Sequence, residues 1–84
     1  MDSRLMAYGL FINEVVTQEL AHFDEVRHQL MLLEMLSLID DPFKGDEMTC
    51  EGDRSYRMLG VGMLGIVLYE VDLTAKVITI VDVV

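Results

Sequence analysis

The chain has 84 residues, of which 52% are hydrophobic, and its fifteen acidic and six basic residues give a net charge of −9. A chain of this length builds one hydrophobic core, so we predict a single domain over residues 1–84 whose small stability margin favours an apolar interface. Proteins bind nucleic acids largely through basic side chains that displace the counterions of the phosphates. An acidic chain lacks this driving force, which argues against direct nucleic-acid binding. The negative charge has two possible roles. It keeps an apolar chain soluble or, as the more specific hypothesis, it selects a basic protein partner.

The single cysteine and the length of the apolar runs bear on the compartment. Cys50 cannot form an internal disulfide, which predicts a reducing cytoplasm. Its acidic surroundings, "DEMTCEGD", disfavour a thiolate, so we interpret it as inert. No apolar run reaches about 18 residues without a polar break, so we predict neither a transmembrane helix nor a signal peptide.

The N-terminal part of the chain predicts a strand and a short helix. Mixed apolar residues around Leu5–Ile12 favour a first strand, since a glycine among them argues against a continuous helix. Asn13 is a suitable N-cap for the helix "NEVVTQELAHF". This helix is amphipathic, because Val16, Leu20 and Phe23 fall on one side.

A second, longer helix is predicted to begin after Asp24, which can cap it. The segment "DEVRHQLMLLEMLSLIDD" carries apolar residues mostly three and four positions apart, namely Val26, Leu30, Leu33, Met35 and Leu36, and widens with Met31, Leu32, Leu38 and Ile39. A helix that is apolar over more than half of its circumference is expected to be buried on two sides, by a sheet and by the first helix. Pro42 ends it, because a residue before proline is pushed out of the helical region.

After a polar loop, "DPFKGDEMTCEGDRS", the pattern changes to that of strands. Three runs rich in β-branched and aromatic residues follow, "SYRML", "GIVLYEV" and "KVITIVDVV", separated by glycines and by the turn "DLTAK". The fold class is therefore α+β, with an N-terminal helical hairpin packed on one face of a small antiparallel β-meander.

The last strand and the glycines of this sheet lead to two further predictions. The last strand is apolar on both faces, with Val77, Val81 and Val83 on one side and Ile78, Ile80 and Val84 on the other, so we expect both faces to be covered. The three glycines at positions 60, 62 and 65 predict a bend or a close approach by another backbone rather than a phosphate cradle, because no helix follows them.

Three segments follow one another after the hairpin: "LIDDPFKGDE", "YRMLGVGMLGIVLYEVD" and "VITIVDVV". Tyr56 and Arg57 open one strand, and Tyr69, Glu70 and Val71 close the next. Over residues 13–84 this order resembles the RelE/ParE superfamily of bacterial type II toxins, whose motifs place a tyrosine and a basic residue, and then tyrosine, glutamate and valine, at the same points. The resemblance implies the RelE/ParE-like fold.

The resemblance also implies a partner and an activity. RelE members are ribosome-dependent messenger RNA nucleases and ParE members act on gyrase, and both are neutralised by an antitoxin that wraps around them. A toxin–antitoxin system with a role in plasmid stabilisation and an antitoxin-like partner are therefore implied for this chain. The RelE chemistry needs several Lys and Arg side chains on the sheet to stabilise a pentacovalent phosphorane.

This chain departs from the family at those cations. The positions expected to be basic fall on Leu59, Val61 and Ile66, and no Lys, Arg or His occurs from Met58 to Ala75. We therefore predict a toxin-family protein that acts mainly through protein contacts and favour a non-enzymatic role. We expect the partner to be a basic or amphipathic antitoxin-like segment, or a second copy of the chain that binds through the apolar sheet.

Two alternatives stay open. One is a working ribosome-dependent mRNA endoribonuclease whose catalytic candidates are Arg57, Lys44, Arg54 and His28. The other is a small homodimeric ligand-binding module that uses the glycine-rich strand, which predicts a sizeable apolar pocket between helices and sheet.

Two Glu-x-x-His pairs, Glu19 with His22 and Glu25 with His28, match the unit that dimetal helical bundles use. The pairs are six residues apart and would diverge around one continuous helix. We interpret them as solvated polar faces and predict no metal and no cofactor.

Overall fold

The computed structural model of the chain describes residues 8–84. Its elements, in order, are β1 (Gly9–Ile12), α1 (Glu14–Ala21), α2 (Glu25–Ser37), β2 (Asp46–Glu51), β3 (Arg54–Val61), β4 (Gly65–Asp72) and β5 (Val77–Val83). The α+β class is confirmed. The predicted first strand corresponds to β1, and the part of that prediction from Leu5 to Ala7 lies outside the described residues.

Both helices begin at the predicted caps. The Asn13 side chain accepts a hydrogen bond from the Val15 N–H (3.1 Å), and Asp24 accepts one from the Arg27 N–H (2.9 Å). Each cap satisfies a backbone donor that has no partner within its helix. No helix within residues 8–84 has the length and apolar character needed to cross a membrane.

The sheet has five strands in the order β1-β5-β4-β3-β2, with β1 parallel to β5 and the other neighbours antiparallel. The predicted three-stranded meander was therefore too small, because β2 lies in the segment expected to be a polar loop. All residues of β2 are exposed, and a bulge at Met48 interrupts its pairing with β3. An acidic edge strand shows no apolar alternation, since neither of its faces enters a core.

One hydrophobic core lies between the two helices and the sheet. Its buried members are Val16, Leu20, Met31, Met35, Leu38, Leu59, Val61, Val67, Tyr69, Val71, Ile78, Ile80 and Val83. The helices thus pack on one face of the sheet, as predicted.

The predicted orientation of α2 was wrong. Met31 and Met35, and Leu38 just after the helix, enter the core, whereas most of the predicted inward stripe is exposed. α2 is buried on one side only among the described residues. The helix is apolar around most of its surface, so periodicity alone could not tell which apolar face meets the sheet.

The predicted faces of β5 also need correction. A bulge at Val81 shifts the pairing with β4, so that Val83 lies in the core beside Ile78 and Ile80. Val81 itself is 47% exposed, against the expectation that both faces are covered. An extra residue in a strand reverses the alternation beyond it, which a two-residue pattern does not reveal.

Candidate functional site

The loop between α2 and β2 (residues 38–45) is held against the sheet by the hydroxyl group of Tyr69. This side chain is 1% exposed. Its Oη accepts a hydrogen bond from the Gly45 N–H (2.9 Å) and donates one to the Pro42 carbonyl oxygen (2.9 Å). Burial raises the pKa of the Tyr69 hydroxyl above its usual 10.0, against smaller opposing effects of the Gly45 N–H and the Arg57 charge. The neutral hydroxyl therefore bridges the two ends of a tight turn.

Arg57, the first of the predicted catalytic candidates, binds the same loop. Its Nη1 donates to the carbonyl oxygens of Gly45 (2.6 Å) and Phe43 (3.2 Å), and its Nε donates to Ser55 Oγ (3.0 Å). Nη2 lies 3.8 Å from Glu47 Oε1, and the side chain is only 15% exposed. The guanidinium group is thus engaged inside the fold and ties the loop to β3.

The other three candidates lie in different places. Lys44 is in the same loop, and its Nζ lies 2.9 Å from Glu34 Oε1. Arg54 lies on the sheet face away from the core, with its Nη1 at 3.9 Å from Glu70 Oε2. His28 lies on α2. The fold therefore brings Lys44 and Arg57 to one loop and leaves the other two on separate elements.

The sheet face that carries no helix within residues 8–84, called here the helix-free face, is apolar and acidic. It presents Phe11, Arg54, Tyr56, Met58, Ile66, Leu68, Glu70, Asp72, Thr79 and Asp82. The basic residues of strands β1–β5 are Arg54 and Arg57, and only Arg54 is on this face. Because Arg54 is paired with Glu70, the face is not a cationic groove.

Four apolar side chains form an exposed ridge along α2, called here the α2 ridge: Val26 (68% exposed), Leu30 (41%), Leu33 (61%) and Leu36 (51%). Single exposed leucines are ordinary on a protein surface, whereas apolar side chains lined up along one helix form a larger exposed apolar surface. Sequence reasoning found these residues as a stripe but assigned them to the core.

The archaeal RelE–RelB complex from Pyrococcus horikoshii OT3, a crystal structure, contains a chain with the same architecture. The match covers 92% of this chain and 92% of that chain, with a TM-score of 0.81 and 22% sequence identity. The chain has the RelE-like fold. No protein-family model and no curated protein sequence matches it.

Within the RelE-like fold, the motif residues carried by the resemblance have structural partners of their own. Tyr69 closes the α2–β2 turn, and Arg57 binds the same turn from β3. Glu70 is next to Tyr69 on β4 but points to the opposite face, where it pairs with Arg54. Short motifs of this kind therefore maintain the fold at these positions.

We expect Tyr69→Phe to lower the free energy of unfolding by about 1–3 kcal/mol, because the Gly45 N–H and the Pro42 carbonyl stay buried without their partner. Urea unfolding followed by circular dichroism measures this loss. Tyr56→Phe on the helix-free face is the matched control and should change the free energy by less than about 0.5 kcal/mol. Equal effects of the two variants would contradict the role of the Tyr69 hydroxyl.

The same hydroxyl predicts a pH dependence. The folded-state pKa of Tyr69 lies above the unfolded value, so the unfolded chain ionises first as the pH rises. Its contribution to stability is present below pH 10.0 and is lost as the pH rises through the folded-state pKa. The stability difference between the wild type and Tyr69→Phe should therefore shrink above about pH 10. Lysines also titrate in this range, but they are the same in both chains, so their effect cancels in the difference.

Proposed function

We propose that this chain is a toxin-family protein of a toxin–antitoxin system that acts by binding other proteins and does not cut RNA. The observation that carries the proposal is that the three cationic catalytic candidates each have partners within the chain. Arg57 binds two carbonyl oxygens, Lys44 pairs with Glu34, and Arg54 pairs with Glu70.

Cleavage of a phosphodiester requires donors that converge on one oxygen-rich transition state. Within residues 8–84, two of the candidate cations, Arg57 and Lys44, lie at the α2–β2 loop. Here, however, Arg57 Nη1 donates to two backbone carbonyls and Nε donates to Ser55, while Nη2 lies beside Glu47. The guanidinium group is therefore engaged by the chain itself. The net charge of −9 adds a further electrostatic cost to binding any RNA.

The structure of similar fold is a RelE–RelB complex, and by analogy we propose an antitoxin-like protein as the partner of this chain. Exposed apolar side chains on α2 are available for such a contact. A reducing cytoplasm is the proposed location, in keeping with the single cysteine, Cys50, which is free and exposed on β2. Self-association through the apolar sheet and a role in plasmid stabilisation stay predictions.

Induced expression together with purification tests this function. We expect normal growth with intact messenger RNA, and a stoichiometric complex when the chain is co-expressed with the product of the neighbouring reading frame. Size-exclusion chromatography with light scattering measures the complex, and RNA sequencing measures cleavage.

The opposite result is equally specific. Messenger RNA cleavage that disappears in Lys44→Gln or Arg54→Gln, with both variants still folded, would show that these exposed cations serve an enzyme. The proposal would then be wrong. Arg57 is unsuitable for this test because its replacement removes contacts that maintain the fold.

A further inference from the structure

We propose that the α2 ridge is the docking surface for a basic amphipathic helix of a partner protein. This inference rests on the proposed function, since it specifies where the partner binds and what chemistry it carries. Leu33 and Val26 are more than half exposed, whereas Met31 and Met35 on the other side of the same helix are fully buried. The apolar side chains of the ridge are therefore not part of the hydrophobic core.

The spacing of the ridge fits a helical partner. Val26, Leu30 and Leu33 are four and three positions apart, which is the spacing of a coiled-coil seam. Leu36 lies one position before the next seam position, which Ser37 occupies, and widens the apolar stripe at this end. A seam of this kind receives the side chains of a second helix in the gaps between its own. α2 has 13 residues, so its length of about 20 Å matches a partner helix of about 13–16 residues.

The charges around the ridge indicate which sign of charge the partner should carry. Asp24 and Glu25 lie at the N-terminal end of α2, and Asp40 and Asp41 lie just beyond its C-terminal end. Among residues 8–84, the cations near the ridge already have partners within the chain. The Arg27 side chain donates to the Leu64 carbonyl oxygen (2.7 Å) and stacks on the Phe23 ring, and Lys44 is paired with Glu34.

A helix that lies along the ridge therefore meets carboxylates at both ends. Lysine or arginine residues at the ends of the partner helix would complement them, and complementary charge raises the rate of association and selects the partner. The partner is thus basic at its ends and apolar along one stripe.

A second copy of the chain fits this surface poorly. A two-fold axis makes the two α2 helices either antiparallel or parallel. The antiparallel arrangement places Asp24 and Glu25 against Asp40 and Asp41, and the parallel arrangement places each acidic end against itself. Both arrangements bring like charges together, and each copy carries a net charge of −9.

Two synthetic helical peptides of about 16 residues test the inference on the full chain. Both carry leucines at coiled-coil spacing. One has lysines at both ends of the helix, and the other has glutamates at the same positions. Fluorescence anisotropy of labelled peptide measures binding. We expect the lysine peptide to bind at least about tenfold more tightly, with a difference that decreases as salt is added.

Leu33→Ser should weaken binding of the lysine peptide about tenfold, because it removes the centre of the ridge. Phe11→Ser is the matched control, since Phe11 is similarly exposed (57%, against 61% for Leu33) but lies on the helix-free face. It should change the affinity by less than about twofold. Equal binding of both peptides, or an equal loss in both variants, would overturn the inference.

The complex with the neighbouring gene product separates this inference from the proposed function. A complex that Leu33→Ser weakens supports both. A complex that survives Leu33→Ser and is lost with Phe11→Ser overturns the ridge as the docking site while the proposed function stands. Sedimentation of the chain alone as a dimer that Leu33→Ser dissociates also overturns the inference, because the ridge then binds a second copy.

Discussion

Replacing Arg57 with alanine is expected to lower the free energy of unfolding by about 2–3 kcal/mol. The guanidinium group donates to the carbonyl oxygens of Phe43 and Gly45 and to Ser55, and hydrogen bonds that involve a charged group contribute more than neutral ones. The α2–β2 loop loses its attachment to β3 in this variant. Urea unfolding at neutral pH measures the change. The dependence of the free energy of unfolding on urea concentration is compared between the two chains.

Arg54→Ala is the matched control on the same strand. Arg54 is largely exposed and lies 3.9 Å from Glu70, a pair that contributes at most about 1 kcal/mol. If Arg57→Ala were no more destabilising than Arg54→Ala, the structural role of Arg57 would be wrong. If our expectation holds, a loss of cellular effect in Arg57→Ala says nothing about catalysis unless the amount of folded protein is measured as well.

Gly65→Ala is expected to lower the free energy of unfolding by about 2–4 kcal/mol. Gly65 begins β4 with φ at +150°, and a Cβ there would lie 2.5 Å from the Val84 carbonyl oxygen. That oxygen accepts a hydrogen bond from the Ile66 N–H (3.1 Å). The clash would therefore disturb the hydrogen bonding between β4 and Val84. Backbone strain and the displaced strand both contribute to the cost. Thermal unfolding followed by circular dichroism measures it.

Gly60 on β3 provides the comparison for this prediction. An added Cβ at Gly60 meets nothing within 4 Å, and its φ is not in the positive region. Gly60→Ala should therefore leave the stability unchanged or raise it by about 0.4–1 kcal/mol. A similar loss in both variants would show that the approach of Val84 is not what requires glycine at position 65.

Most of the fold could be predicted from the sequence because its signals are local. Asn13 and Asp24 accept hydrogen bonds from backbone N–H groups two or three residues ahead, so a helix start can be recognised within one turn. Strands β3, β4 and β5 each repeat apolar residues over seven or eight positions, and the short turns between them require antiparallel neighbours. These features led to the α+β class and to the resemblance that the fold confirms.

The candidate site was less predictable, because it depends on the direction in which each side chain points. Arg54 and Arg57 are three residues apart on β3, an odd number, so the alternation of the strand sends them to opposite faces. That the face of Arg57 holds two carbonyl oxygens follows from the path of a loop 12 to 14 residues earlier in the chain. No local pattern contains this information.

The sequence by itself determined the class of the fold, the caps of both helices, the existence of strands β1, β3, β4 and β5, and the acidity of the chain. Only the tertiary structure decided which side of α2 is buried, that an acidic segment pairs as the edge strand β2, and that Arg57 binds the chain's own backbone. The physical reason is the range of the interactions. Caps and alternation operate over a few residues, whereas the burial of one apolar face in preference to another depends on which surface the rest of the chain brings to it.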